Sequence, residues 1–315
     1  MSTVPTLLPL ATPETGRQTT TWRSRAKDYV ELTKPRICMM ALVTVAVGFV
    51  LGSYPEFRWA LLLHTLIGAG AVAAGGSVLN CWLERRADAK MNRTKNRAVV
   101  SGRIHPIEAL NFGLTLTVLG TAYLYVALPS PAAAIAAALT AVLYVLVYTP
   151  LKRLTIWNTV VGAIPGALPP VIGWCGATGG MAAPGWALFA ILFVWQLPHF
   201  FSIAYLHRED YARGGMRMLP VIDSADGKLT GWTTAATALL LVFTTALPYA
   251  LGATGWVYLV LSLPVAVWFL MRCIRFAKDR NSTTARGVLR GSLVYLLAVM
   301  AVFVFDGIIL KRLVG

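Results

Sequence analysis

The chain reads as an all-α, polytopic membrane protein: a bundle of about nine transmembrane helices with its N-terminus in the cytoplasm. Three observations predict this. Of 315 residues, 57% are hydrophobic and only 13% charged, with mean hydropathy +0.65, where soluble domains carry about 25% charged residues. Apolar runs long enough to span a bilayer, about 17–25 residues, recur along the chain. The basic residues are also segregated. Of the 28 lysines and arginines, all but Arg58, Lys311 and Arg312 lie before the first run or in the connections after the second, fourth, sixth and eighth. That asymmetry places those connections in the cytoplasm. It accounts for the formal charge of +15 without nucleic acid as a partner and makes the lipid bilayer the chain's surroundings.

Residues 1–30 are expected to form a disordered cytoplasmic tail, followed by one membrane-embedded domain over 31–315. The tail is rich in Ser and Thr and carries Pro5, Pro9 and Pro13. It has no apolar core ahead of a small-residue cleavage site, so a removable secretory signal is not expected. Its arginines and scarcity of acids faintly resemble an organelle targeting segment. Spans are expected at 36–54, 59–83, 107–128, 131–149, 157–176, 184–205, 229–251, 255–271 and 289–310. The fifth is broken by Pro165, Pro169 and Pro170, and the eighth is short and contains Pro264. Prolines at membrane depth often mark a kink beside a cavity, because neighbouring helices must satisfy the freed carbonyls. Residues 272–286 read as an amphipathic basic loop lying on anionic headgroups. Cys38, Cys81, Cys175 and Cys273 show no CxxC spacing and read as small core residues.

The stretch most suited to chemistry closes the second span. Asn80, Glu84 and Asp88 are spaced i, i+4, i+8. On a helix of 3.6 residues per turn each step of four drifts by about 40°, so the three share one face over roughly 12 Å. Two carboxylates and an amide in a row suit a hard cation such as Mg²⁺, which is usually held by one or two carboxylates together with substrate phosphates. Arg93 and Arg97 follow and suit phosphate. Polar groups at this depth are costly and by default functional.

Other residues converge on the same face. Tyr148-Thr-Pro-Leu precedes Lys152 and Arg153, which serve equally as topology signals or as a phosphate clamp. A second pair of carboxylates, Glu209 and Asp210, follows the sixth span and is itself followed by Arg213. Gln196 and His199 interrupt an aromatic run beside Pro198, where packing and cavity lining are both open to them. Lys34-Pro35-Arg36 begins the first span and can reach the same pocket, although anchoring a helix start explains it as well. His64 and Asp306 read as structural, and Asp223 and Asp226 as a solvated turn. Two acidic clusters on separate helices at one membrane face form the informative constellation, because a metal-bridged diphosphate takes ligands from two sides. A secondary transporter also shows broken helices and intramembrane polar groups, but here the acids gather at one face, away from the midplane.

In these residues the chain resembles the UbiA superfamily of intramembrane prenyltransferases. The likeness rests on Leu32-Thr-Lys-Pro-Arg-Ile37, the Asn80…Glu84…Asp88 array running on to Arg97, Tyr148-Thr-Pro-x-Lys-Arg153, Asn158 to Pro170, Trp195-Gln-x-Pro-His-Phe200 and Glu209-Asp-Tyr211 through Met218-Leu-Pro220. The Trp-Gln-x-Pro-His-Phe and Met-Leu-Pro segments point to the branch that acts on heme. Ala98 stands where the family usually has proline, Gly215-Met-Arg217 differs ahead of Met218, and the second acidic cluster is thinner than in quinone-type relatives. The resemblance implies a Mg²⁺-dependent transfer of farnesyl from farnesyl diphosphate to heme B, giving heme O for heme–copper oxidases. It implies Mg²⁺ held by Asn80, Glu84, Asp88 and Asp210 with Glu209, and diphosphate neutralised by Arg93, Arg97, Lys152, Arg153 and Arg213. His199 is implicated in heme binding or water capture. A heme A synthase is the implied downstream partner. A bacterial cytoplasmic membrane is the expected location, with a mitochondrial inner membrane as the alternative. A relative acting on a quinone precursor or a chlorin is the neighbouring reading.

Overall fold

Among the described residues, nine helices are long and apolar enough to cross a membrane. A bilayer interior offers no water to free N–H and C=O groups, so the spanning segments close their hydrogen bonds within themselves. The computed structural model describes residues 21–53, 56–224 and 226–310. The first twenty residues of the expected tail, Tyr54, Lys311 and Arg312 lie outside them.

A short helix, α1 (Trp22–Leu32), precedes the bundle. The spans are α2 (Pro35–Gly52), α3 (Trp59–Asp88), α4 (Pro106–Ala127), α5 (Ala132–Leu151), α6 (Asn158–Thr178) and α7 (Ala183–Leu206). After α8 (Arg208–Arg213) come α9 (Lys228–Ala250), α10 (Trp256–Asp279) and α11 (Ser282–Ile308).

Three boundaries correct the sequence expectations. Residues 22–30 are not part of a structureless tail. Thr21 caps α1 by accepting from the Ser24 amide, and Asp28, Leu32 and Tyr29 are held against the neighbouring loop. The span expected at 255–271 continues to Asp279, so most of the supposed basic loop is helix. Cys273, Phe276 and Ala277 stay buried through that extension while Arg272, Arg275 and Lys278 fall on its other side, so the helix persists where hydropathy fades. It ends at Arg280, which takes a left-handed conformation. The last span starts seven residues earlier than expected, at Ser282, behind a capping box in which Asn281 and Thr284 satisfy each other's backbone amides.

Small residues decide which helices meet. A Cβ on Gly75 of α3 would stand 2.3 Å from the Thr117 hydroxyl of α4, and one on Gly68 would stand 2.5 Å from Leu124. These two backbones therefore approach as small-residue membrane interfaces do. The α2–α6 contact is tighter. A Cβ on Gly48 would lie 2.0 Å from the Pro170 carbonyl oxygen, and one on Gly173 would lie 1.9 Å from that of Val45. α6 is broken at Leu168, before Pro169 and Pro170, as those prolines predict, while Pro165 sits inside its first half and Pro264 inside a continuous α10; α9 also breaks, at Ala246 before Pro248. Pro198 lies inside α7, which stays continuous.

The groups read as structural find structural partners. His64 Nδ1 is 2.7 Å from the Tyr123 hydroxyl. Asp306 accepts from the Gly255 amide at the start of α10. Asp223 accepts from the amide and hydroxyl of Thr230, both at 2.7 Å, and so ties down the start of α9.

Candidate active site

The glycine-rich half of α3 lets that helix run deep between its neighbours, and its last three turns deliver Asn80, Glu84 and Asp88 to the basic end of the bundle. All three are buried, Asp88 completely. Each meets a cation or a helix from elsewhere in the chain.

Asn80 Oδ1 accepts from Lys34 Nζ at 2.7 Å, and its Nδ2 donates to the Thr149 hydroxyl at 3.1 Å. Thr149 reaches the Tyr144 carbonyl, five residues back, at 2.8 Å. That reach exists because Leu143–Tyr148 is a π-helical turn within α5, a feature frequent at functional sites. Lys34 arrives through a left-handed backbone (φ 50°) directly before Pro35, a conformation costly for a non-glycine residue. Burial pulls its pKa below the ordinary lysine value; Cys81 and Glu84 oppose that shift, and the Arg97 and Lys152 charges add to it.

Glu84 accepts from Lys152 Nζ at 2.6 Å, and the ammonium also sits 4.5 Å from the centre of the Tyr148 ring. Burial opposes the charge on Lys152, but Tyr148 and Glu84 together outweigh it and raise its pKa. Asp88 Oδ2 pairs with Arg97 Nη1 at 2.5 Å, whereas its Oδ1 is buried with no hydrogen-bond partner. Lys34, Lys152 and Arg97 thus surround two carboxylates, leaving the cluster one positive charge in excess when all are ionised.

A second tier lies on the rim. Asp210 of α8 accepts from the Asn92 amide at 3.0 Å and from Arg213, and the Arg213 contact comes first among the causes that hold its carboxyl below the usual range. This binds α8 to the α3–α4 loop. Arg93 lies 6.0 Å from the Tyr211 ring centre. Met91, Ala87, Ala204, Met216 and Met218 form an apolar cluster beneath the same junction. The Arg217 amide donates to the Lys152 carbonyl at 2.7 Å, so the loops after α3, α5 and α7 are laced together. Glu209 and Arg153 are exposed.

The five expected metal ligands do not close into a cage: among the described residues, no three His, Cys, Asp or Glu side chains converge on one point. The donor set still fits Mg²⁺, which takes oxygen ligands and keeps positions for phosphate and water. The orphaned Asp88 Oδ1 is an acceptor that calls for a cation or donor. An apolar cavity of about 60 Å³ begins one turn along α3 from Asn80, lined by Ala41, Val45, Ala73, Gly76, Tyr144 and Ile172 among others.

His199 belongs to a different side of α7. Its Nδ1 is 2.8 Å from the Ser292 hydroxyl of α11, and its ring stacks on Trp195 with centroids 4.9 Å apart. Gln196 instead spans the kinked α6, donating to the Ala163 carbonyl at 3.2 Å. The sequence reading gives Lys34 only an optional place in the pocket, quotes Tyr148 and Thr149 within the Tyr-Thr-Pro run without assigning them a role, and passes over Tyr144, which lies in an apolar run.

The model of the UbiA prenyltransferase family matches residues 41–304. A protoheme IX farnesyltransferase of Solibacter usitatus is 43% identical over 89% of this chain and 98% of its own length. One from Salinibacter ruber is also 43% identical, with the same coverage. Among solved structures, a digeranylgeranylglyceryl phosphate synthase superposes with a TM-score of 0.72 at 23% identity, covering 90% of this chain and 99% of that one. A UbiA homologue from Archaeoglobus fulgidus bound to GPP and Mg²⁺ superposes with a TM-score of 0.65 at 16% identity, covering 88% and 99%. With its family model matched over most of its length and relatives this close, the chain belongs to the UbiA prenyltransferase family.

Proposed function

We propose that this chain transfers the farnesyl group of farnesyl diphosphate to a vinyl group of heme B, with addition of water, giving heme O and diphosphate. The observation that carries the prenyl half is the cluster of part-buried Lys34, Lys152 and Arg97 around the buried Glu84 and Asp88, one helical turn above an apolar cavity. The heme half is supported by the 43% identity to protoheme IX farnesyltransferases over nearly their whole length.

The diphosphate enters at the basic end, which the distribution of lysine and arginine assigns to the cytoplasm. Asn80, Glu84 and Asp88, with Asp210 and Glu209 from the facing rim, would hold Mg²⁺; magnesium bound there supplies charge neutralisation of the leaving diphosphate. The Archaeoglobus homologue was solved with GPP and Mg²⁺ bound, which supports magnesium as the cation used with a prenyl diphosphate. Lys152 and Arg97 then exchange a carboxylate partner for a phosphate oxygen, and Lys34 adds a third donor. Arg93, Arg153 and Arg213 serve the outer phosphate oxygens from the rim. Preorganised positive charge in a buried site favours heterolysis of the allylic C–O bond, whose electron pair leaves with the diphosphate. The heme vinyl π-electrons form the new C–C bond to the farnesyl C1. Water captures the carbocation left beside the porphyrin and loses a proton, producing the hydroxyethylfarnesyl arm.

The farnesyl chain extends from Gly76 along the apolar cavity. At about 60 Å³ that cavity holds roughly two water volumes, so the chain widens it between α2, α3 and α5. His199, with Nδ1 engaged by Ser292, offers Nε2 to heme or to the incoming water. The protein acts in a bacterial cytoplasmic membrane and hands heme O to an enzyme that oxidises it further, such as a heme A synthase.

The test is to supply purified protein with heme B, farnesyl diphosphate and Mg²⁺ and to look for heme O by mass. Prenylation of a quinone precursor or chlorin, with none of heme, would transfer the assignment to another branch of the family.

A further inference from the structure

The loop that carries Arg97 is tied to α1, outside the site, by the hydrogen bonds of one side chain, Arg103. Gly102 takes a left-handed conformation (φ 76°), which reverses the chain and returns Arg103 towards the loop's own start. All three of its guanidinium nitrogens are engaged. Nε donates to Asp28 Oδ1 at 2.8 Å, Nη2 to Glu31 Oε2 at 2.5 Å and Nη1 to the Asn96 carbonyl at 3.0 Å. The first two acceptors are on α1; the third belongs to the residue immediately before Arg97.

The surroundings make this connection stiff. Asp28 is buried, with Oδ2 unpartnered, so Arg103 is its only ion-pair partner among the described residues. Leu32 of α1 packs with Ala98, Val99 and Ile104 of the loop. The Ile104 amide donates to the Ala98 carbonyl at 3.1 Å, closing the turn. At its far side α1 is fastened to α4, where Glu108 accepts from Arg25 at 2.8 Å and from the Tyr29 hydroxyl at 3.1 Å. The backbone on the C-terminal side of Asn96 leads directly to the guanidinium that pairs with Asp88.

We infer that Arg103 is a positioning residue for diphosphate recognition: it couples α1, through Asp28 and Glu31, to the backbone that aims Arg97 into the site. This rests on the reading of Arg97 as a diphosphate ligand. Arg103 itself reaches no substrate. Lysine cannot replace it, because one ammonium lacks the planar fork that serves acceptors in different directions. On this account α1 acts as part of the active site's frame.

The experiment measures binding of inorganic diphosphate in the presence of Mg²⁺ to the full chain in detergent, alongside heme binding by absorbance. Five proteins are compared: wild type, Arg103→Lys, Glu31→Gln, Arg97→Met and the Arg103→Lys/Arg97→Met double variant. Arg103→Lys keeps a cation beside the buried Asp28, which protects folding; Glu31→Gln provides a second, milder disturbance of the same connection. Arg103→Lys is expected to weaken diphosphate binding about tenfold, a shift of about 1.4 kcal/mol, and to leave heme binding unchanged. In the Arg97→Met background it is expected to add nothing further, because both act through one contact. Wild-type diphosphate affinity in Arg103→Lys, a full additional loss in the double variant, or a parallel loss of heme binding would each overturn the inference. If Arg97→Met alone binds diphosphate normally, the underlying reading of Arg97 fails first, and the inference falls with it.

Discussion

The carboxylate of Asp88 is divided between two environments: Oδ2 sits 2.5 Å from Arg97 Nη1, while Oδ1 is buried without a partner. An unmet buried acceptor costs about 1–3 kcal/mol, so a donor or cation reaching that oxygen would be bound favourably. Under the proposed function, the open oxygen of Asp88 is the one that would receive a cation.

Asp88→Asn preserves the volume and removes the charge. Turnover of farnesyl diphosphate is expected to fall by about 10²–10³, the range for loss of one preorganised electrostatic contact at a reacting centre. Helical content, measured by circular dichroism, is expected to stay unchanged. Near-wild-type turnover would remove Asp88 from the metal–diphosphate site.

The Glu84–Lys152 pair separates stability from catalysis. Both side chains are almost buried, at 8% and 12% exposure, so Lys152→Met leaves Glu84 without its direct ion-pair partner, at a cost of up to about 3–5 kcal/mol. The midpoint of thermal unfolding in detergent should drop accordingly. Adding Glu84→Gln should recover most of that loss and none of the activity. Recovery of activity in the double variant would show that the pair is scaffolding alone.

His199 and Ser292 make a paired test. Replacing His199 by Ala is expected to raise the KM for heme well above its effect on the KM for farnesyl diphosphate. Ser292→Ala, which frees Nδ1 and loosens the ring, should show a weaker form of the same split. Equal loss for both substrates would instead identify His199 as a packing residue on α7.

Two glycines of α3 should respond in opposite directions. A Cβ at Gly75 meets Thr117 Oγ1 at 2.3 Å, whereas one at Gly70 meets only Leu42 at 3.5 Å, an ordinary contact. Gly75→Ala therefore pushes α4 away and is expected to destabilise by about 1–3 kcal/mol. Gly70→Ala should be neutral or stabilising by up to about 1 kcal/mol, since alanine is the better helix former. Unfolding midpoints of the two variants check this, and a stable Gly75→Ala would contradict the close α3–α4 contact.

Much of the architecture was legible in the sequence because membrane constraints are local. A span needs about twenty apolar residues, and lysine and arginine sort by side of the membrane. The nine spans could therefore be read without knowing any contact. The face shared by Asn80, Glu84 and Asp88 follows from helical period alone. The residue types on that face, not the period, are what point to the proposed diphosphate chemistry. Where hydropathy faded but the helix continued, as at Arg272–Asp279, the local reading stopped short.

What tertiary structure decided is who meets whom. Glu84 and Lys152 are 68 positions apart, and Asn80 and Lys34 are 46 apart. No spacing rule pairs them, because their meeting depends on how α3 packs against the start of α2 and the end of α5. The π turn in α5 and the left-handed Lys34 are backbone choices paid for by surrounding packing, and propensity alone points away from both. Arg103 shows the same division most plainly. As sequence it is one basic residue among seven in the connection after the second span; as structure it joins a buried aspartate on α1 to the carbonyl next to Arg97. Residue types determine which chemistry the chain can hold at the membrane face. Only packing of distant segments brings the opposing charges within reach, because Coulomb interactions act through space and are strong only in the low dielectric that burial creates.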